Sequence, residues 1–354
     1  MLRFFDNPIL SARDVPYPAT LTFNAGVVCH EGLYLMVFRN DHGRKGDEVF
    51  DGTNIGLATS HDGIRWTVTP EPILTESEVR EQFKRLLRHR YTPDFVRRIY
   101  DPRLTVIEGR LFMCFAVDTA HGICGGVAET DDFRTFTWLS VSAPDNRNMV
   151  LFPRRIGGNY ARLERPLPVY MRPKPEDFPI WYAESPDLIY WGQNRPVLGV
   201  DEVPYANSKI GPAAPPLETP QGWLVTFHAV RRVSHRLKGW ERKGWYKIYY
   251  AGLMLLDLHE PSRVIGLMRE PLLQPETDYE VEGFRGSVIF PCGMILEDSG
   301  EVKLYYGAAD TSVALASASL EELLARCEPY DPARKNESED PPQLSHEVLP
   351  TGEG

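Results

Sequence analysis

The sequence has no apolar run approaching the roughly 18 to 20 residues that span a bilayer. Its start, MLRFFDNPILSARDVP, lacks the long apolar stretch and small-residue cleavage site of a secretory signal. The expectation is a cytoplasmic protein with no membrane partner. Cysteine is scarce and odd in number: Cys29, Cys114, Cys124, Cys292 and Cys327 are scattered through strand-like segments without a C-x-x-C pair. Neither a disulfide framework nor a structural zinc site is expected. The histidines are equally dispersed, and no His, Cys and carboxylate spacing suggests a metal ligand set. Positive charge is the minority sign, with 39 Lys and Arg against 49 Asp and Glu, a net charge of -10. That balance argues against a nucleic-acid partner, because such proteins gather basic residues to neutralise phosphates. Any anion must be bound in a local basic pocket.

What is present is repetition. A glycine turn followed by an aromatic and aliphatic strand recurs as Gly32-LYLMVFR, Gly109-RLFMCFAVD, Gly158-NYARLERP, Gly222-WLVTFHAV and Gly300-EVKLYYGAAD. The first three units continue into a second hairpin around Asp62, Asp132 and Asp187; the fourth and fifth are degenerate there. Short strands and turns repeating every 50 to 80 residues or so predict propeller blades. The fold expected is all-β, a five-bladed β-propeller over 1–327, with helical insertions and a flexible C-terminal tail. A β-sandwich with a similar strand count is the alternative.

Three segments interrupt the pattern. Residues 75–99 have helical spacing, with Val79, Phe83, Leu86 and Leu87 on one side and arginines on the other, predicting a helix over a rim. Residues 231–247 read as a basic, Trp-containing loop between two strands, either a solvated extension or a cover over substrate. From about 328 to 354 the chain is polar, rich in Pro and acidic residues, and predicted to be mobile or draped over the surface.

Strands of a propeller converge on a central channel, so residues at corresponding strand ends meet although distant in sequence. Arg39, Asp118, Arg165, His228 and Asp310 fall at or near such ends. Taken singly, each also has an ordinary structural explanation.

From about residue 6 to 325 the sequence resembles glycoside hydrolase family 130, five-bladed propellers that include β-mannoside phosphorylases. The resemblance is carried by YDPRL (Tyr100 to Leu104), NRN (Asn146 to Asn148), the Arg165 of RLERP, and SKIGPAAPPLETPQGWLVTFHAV (Ser208 to Val230). It continues through LLDLHEPSRVIG (Leu255 to Gly266), VIFPCG (Val288 to Gly293) and YYGAADT (Tyr305 to Thr311). The resemblance implies that Asp101 is the catalytic acid, protonating the leaving oxygen through the 3-hydroxyl of the mannosyl unit. It implies that Arg147, Asn148, Arg165, Lys209, His228 and Tyr249 hold phosphate, and that Asn24, Arg39, Tyr100 and Asp310 hold sugar. Guanidinium forks and an ammonium suit an anion of about -1.5 to -2 charges.

The implied reaction is inverting phosphorolysis of a β-mannosyl disaccharide or oligosaccharide to α-mannose 1-phosphate. It needs no cofactor, only inorganic phosphate as co-substrate, and phosphate, already anionic, spares the enzyme the second carboxylate of an inverting hydrolase. Two readings stay open beside it. A hydrolase of the same family would typically lack part of the cation set, and a non-catalytic sugar-binding propeller could lose the acid. Departures from the family, YANSKIG in place of D-S-x-K-I-G and the two insertions, bear on the acceptor sugar. A homo-oligomer is compatible with the sequence.

Overall fold

The computed structural model describes residues 1–43, 50–87, 96–167, 176–234 and 245–334. The five glycine-led strands are the second strands of five antiparallel sheets arranged in a ring. Blade 1 runs Leu21–His30, Leu33–His42, Gly52–Ser60 and Thr67–Val68, with Leu74–Thr75 added to its third strand. Blade 2 comprises Val96–Ile107, Arg110–Thr119, Gly122–Thr130 and Thr137–Val141; blade 3, Asn146–Leu151, Tyr160–Pro166, Ile180–Ser185 and Gly192–Leu198. Blade 4 carries Ile210–Pro212 and Leu217–Thr219 inside, then Gly222–Ser234, Trp245–Leu256 and Val264–Leu267. Blade 5 has Ile289–Leu296, Glu301–Ala308 and Ser312–Ser319.

The fifth blade takes its outermost strand from the other end of the chain. Leu2 and Arg3 pair with Ser317 and Ala316, and Arg3 bonds the fully buried Glu280 through Nε at 2.8 Å. Tyr306 donates to the same carboxylate at 2.8 Å. The ring is thereby closed by sheet hydrogen bonds rather than by packing alone.

The repeat works because a strand sends alternate side chains to opposite faces, and both faces of a middle strand are covered. In blade 1, Leu35 and Val37 join Met113, Phe115 and Val117 of blade 2, while Tyr34, Met36 and Phe38 join Tyr305, Val313 and Leu315 of blade 5. Similar clusters fill the other junctions, with Cys114, Met149 and Tyr160 between blades 2 and 3 and Phe152, Tyr182 and Trp223 between blades 3 and 4. Leu224, Leu253, Leu304 and Tyr306 fill the seam between blades 4 and 5. Hence the middle strands read as nearly continuous apolar runs.

The turn aspartates of the first three units each accept two backbone N–H bonds. Asp62 takes those of Ile64 and Arg65 (both 2.8 Å), Asp132 those of Arg134 and Thr135, and Asp187 those of Ile189 and Tyr190. Asp257 does the same for His259 and Glu260 in blade 4, whose second hairpin is less degenerate than its sequence suggests. The carboxylate replaces the carbonyl a turn would otherwise need.

Three expectations are corrected. The insertion helix is Glu76–Leu87 and ends well before 99, because Val96 to Ile99 already belong to the inner strand of blade 2; residues 88–95 lie outside the described residues. Val79 and Phe83 are buried in the seam between blades 1 and 2 as the spacing required. The 231–247 loop is shorter than expected: its ends extend a hairpin paired from Trp223–Leu256 to Ser234–Trp245, and 235–244 lie outside the described residues. The expected tail begins later than 328, since Pro329 and Glu328 pair with Gly266 and Leu267 on the outer edge of blade 4 and Tyr330 bonds Glu202; residues 335–354 lie outside the described residues. Among the described residues no helix is long and apolar enough to cross a membrane.

Candidate active site

Three innermost strands break register at corresponding places, between Phe23 and Gly26, Tyr100 and Arg103, and Arg147 and Val150. Within these bulges Asn24, Asp101 and Asn148 adopt left-handed backbone, with φ of 51°, 53° and 59°. Asn and Asp tolerate that region better than other side-chain-bearing residues. A bulge turns one side chain out of the alternating pattern, here toward the axis. Asp310, at φ 49° after the second strand of blade 5, follows the same rule.

The eleven residues to which the family resemblance gives a role line one recess at the axis, of about 810 Å³ including its open mouth, whereas Asp118, singled out by its strand end, does not line it. They divide into a carboxylate side and a cationic side. On the first, Asn24 Nδ2 donates to Asp101 Oδ1 at 2.8 Å and Arg39 Nη1 lies 3.7 Å from the same oxygen. Arg39 is aimed by Asp41, fully buried, through bonds of 2.9 and 2.7 Å, and its guanidinium lies 4.6 Å from the centre of the Phe23 ring. Burial, only partly offset by Arg39 and Arg285, raises the Asp310 carboxyl to about 6. From behind, Arg103 donates to the Asp101 carbonyl at 3.0 Å and to Ala213 O of blade 4 at 2.6 Å, holding the bulge from the core.

The cationic side gathers Arg147 and Arg165 of blade 3 with Lys209 and His228 at the inner edge of blade 4. Arg165 Nη1 lies 2.8 Å from His228 Nε2. An arginine only donates, so Nε2 accepts and the ring proton sits on Nδ1. Burial and the neighbouring guanidiniums hold His228 well below its usual range. Burial, then Arg147, brings Arg165 down to about 9; burial, then Arg165 and Arg147, brings Lys209 down to about 6. Among the described residues Arg165 Nε and Nη2, Arg147 Nε and His228 Nδ1 are buried with no protein partner. Buried donors of this kind destabilise the fold unless something satisfies them. A compact multivalent anion fits that chemistry.

Tyr249 closes this side, its ring 6.2 Å from His228 and 5.7 Å from Lys209 Nζ. Gly211 makes the arrangement sterically feasible, since a Cβ there would lie 2.5 Å from His228 Cε1. Glu176, itself at φ 57°, bonds Lys247 (2.8 Å) and Ser208 (3.0 Å) beside Lys209. Although burial works against it, the two lysines hold its carboxyl down to about 2.

Sequence reasoning missed Phe23, Phe50, Arg98, Phe284, Arg285 and Phe290, which also line the recess. Arg98 was within reach, being two residues before Tyr100 on one strand and so on the same face. Phe284 and Arg285 sit in a loop without periodicity, and only the fold brings them in.

A family model described as beta-1,4-mannooligosaccharide phosphorylase matches residues 6–329. The chain belongs to glycoside hydrolase family 130. It is 32% identical over 327 residues to the beta-1,4-mannooligosaccharide phosphorylase of Ruminococcus albus, covering 91% of this chain and 89% of the relative. It is 30% identical to the beta-1,2-mannobiose phosphorylase of Listeria innocua, over 77% of this chain and 68% of that protein. Its fold matches the solved structure of a Listeria innocua beta-1,2-mannobiose phosphorylase in complex with beta-1,2-mannobiose, with a TM-score of 0.75, covering 92% and 98% of the two chains at 25% identity. Within family 130, then, this chain presents a carboxylate side, Asp101 and Asp310, facing a buried set of cations across one recess.

Proposed function

We propose that this chain is an inverting β-mannoside phosphorylase, in which Asp101 is the acid and Arg147, Asn148, Arg165, Lys209, His228 and Tyr249 hold phosphate. The observation that carries the reading is the buried cation cluster, short of acceptors, in the same recess as Asp101. Asn24, Arg39, Tyr100 and Asp310 hold the mannosyl hydroxyls. A phosphate oxygen attacks the anomeric carbon as the bond to the leaving oxygen breaks. Asp101 gives that oxygen a proton, relayed through the mannosyl 3-hydroxyl, and regains one from the hydroxyl of the hydrogen phosphate as the monoester forms; no net proton is consumed. A single displacement turns the β-mannoside into α-mannose 1-phosphate.

Cleavage of a β-mannosyl disaccharide is expected to saturate with phosphate and to yield mannose 1-phosphate. Mannose released at equal rates with and without phosphate would instead make the chain a hydrolase, and family 130 also contains glycoside hydrolases that target beta-1,2 mannosidic linkages in Candida mannan. The relatives' names carry both β-1,4 and β-1,2 linkages. Mannose 1-phosphate offered with a panel of acceptors, scoring phosphate release, assigns the linkage.

Lys209 makes a second expectation. Its folded-state value of about 6 lies below the ordinary 10.5, so between these the unfolded chain binds more protons than the folded one. Folding stability without phosphate therefore rises with pH over that window and falls as pH drops toward 6. A bound dianion favours the ammonium, so binding takes up a proton. Between about pH 8 and pH 9 phosphate affinity should fall by up to roughly tenfold per unit. Calorimetry in two buffers of different ionisation enthalpy measures the uptake. Lys209→Met should flatten the slope, and an equally steep slope in that variant would remove Lys209 from the site.

A further inference from the structure

Asp118 was singled out by its place at a strand end, and the reaction above gives it no part. It sits on Arg110–Thr119, directly across from Arg98 and diagonal to Tyr100 on the inner strand of blade 2. The Tyr100 hydroxyl donates to Asp118 Oδ1 at 2.7 Å. Arg98 donates to Asp118 Oδ2 through Nε at 2.8 Å and through Nη2. Both carboxylate oxygens are thus engaged, and the tyrosine's only hydrogen is committed to one of them.

That commitment has a consequence for Arg147, whose Nη1 lies 3.4 Å from the Tyr100 oxygen. A guanidinium has no lone pair to offer, so the tyrosine must be the acceptor in this contact. It can accept in that direction only while its hydrogen points elsewhere. The Tyr100 ring also lies near two further guanidiniums, at 5.1 Å from Arg39 and 5.5 Å from Arg98. Ring and hydroxyl together leave Tyr100 buried, 3% exposed, between the carboxylate side and the cationic side of the recess.

We propose that Asp118 is a positioning residue: by taking the Tyr100 hydrogen it turns the hydroxyl lone pair to Arg147 and so fixes the guanidinium that receives phosphate. The inference rests on the phosphorylase reading and adds a residue to it that does not touch substrate. It gives the cross-strand pair Arg98–Asp118 a purpose beyond sheet pairing, since Arg98 in turn holds the carboxylate in place.

The test is a set of steady-state kinetics with Asp118→Ala, Tyr100→Phe and the double variant, each checked for an unchanged melting temperature. Asp118→Ala should raise the KM for phosphate about tenfold, the scale of one well-aligned charge-assisted hydrogen bond, with the KM for disaccharide moved less than about twofold. The double variant should match Tyr100→Phe in its phosphate KM, because both changes remove one connection. If Asp118→Ala does not fold, Asp118→Asn serves. Its carbonyl oxygen will face the Arg98 donors and its amide the tyrosine, freeing the tyrosine hydrogen to face Arg147, so the phosphate KM should again rise.

A wild-type enzyme that ignores phosphate would sink the phosphorylase reading itself. A wild type that saturates with phosphate, beside an Asp118 variant whose phosphate KM stays within twofold, would overturn this inference alone. Equal rises in both KM values, or additive effects in the double variant, would overturn it too.

Discussion

Asp101→Asn is expected to lower kcat by about 10²-fold or more, the scale of losing a general acid, while leaving melting temperature and disaccharide binding close to those of the wild type. Asparagine is the right replacement for a structural reason. Residue 101 has φ of 53°, where an alanine would be strained, whereas asparagine accepts that backbone. Its amide oxygen can still receive the Asn24 Nδ2 hydrogen that Asp101 Oδ1 receives at 2.8 Å. The substitution therefore removes the transferable proton and keeps the bulge. Turnover is measured at saturating phosphate and disaccharide, and near-normal kcat would remove Asp101 from the role of acid.

Arg165→Met should separate function from stability. Arg165 is 1% exposed, with Nε and Nη2 lacking a partner among the described residues and its guanidinium held down to about 9 by burial and by Arg147. Replacing a buried charge by an apolar side chain of similar volume is often neutral or stabilising, by about 1 to 4 kcal/mol. In phosphate-free buffer the variant should therefore melt at or above the wild-type temperature. With phosphate the order should reverse. At 100 times its Kd a ligand adds about 2.7 kcal/mol to the wild type, and the variant, having lost two charge-assisted bonds, should gain little. Its KM for phosphate is expected to rise on the order of 10²-fold. Thermal shift with and without phosphate, beside initial rates, measures both. A variant less stable than wild type in both buffers would mean that Arg165 serves the fold and not the anion.

The two expectations share a physical cause. A site for a multivalent anion must collect like charges before the anion arrives, and the surrounding blades bear that cost. Burial and Arg147 push Arg165 down, and burial with both arginines pushes Lys209 down. For Arg147 burial is outweighed by Tyr100 and Asp101, which hold it above its ordinary value. Cation and carboxylate sides are thus coupled through Tyr100, the residue next to the proposed acid.

Much of this was legible in the chain. Glycine-led strands and turn aspartates recur because each blade is one local supersecondary unit, and local units write their period into sequence. The continuous apolar middle strands, such as LYLMVF and RLFMCFAV, follow from both faces being covered. The Val79 and Phe83 spacing placed a helix correctly but overran its end, because helical periodicity does not mark where a neighbouring strand begins.

Which side chains leave the alternating pattern was not legible. Asn24, Asp101 and Asn148 point to the axis because a bulge adds a residue to each inner strand, and a bulge is a property of register between two strands rather than of either one. The closure of the ring by Leu2 and Arg3, with Arg3 on Glu280, lies beyond local reading for the same reason, being set by the number of blades and their twist. Residue order alone set the composition of the candidate site, two aspartates with arginines, lysine and histidine at blade ends. That these groups share one buried recess came from the three-dimensional fold, since the burial of Lys209 beside Arg165 and the contact of Arg147 with Tyr100 arise only when blades converge on an axis.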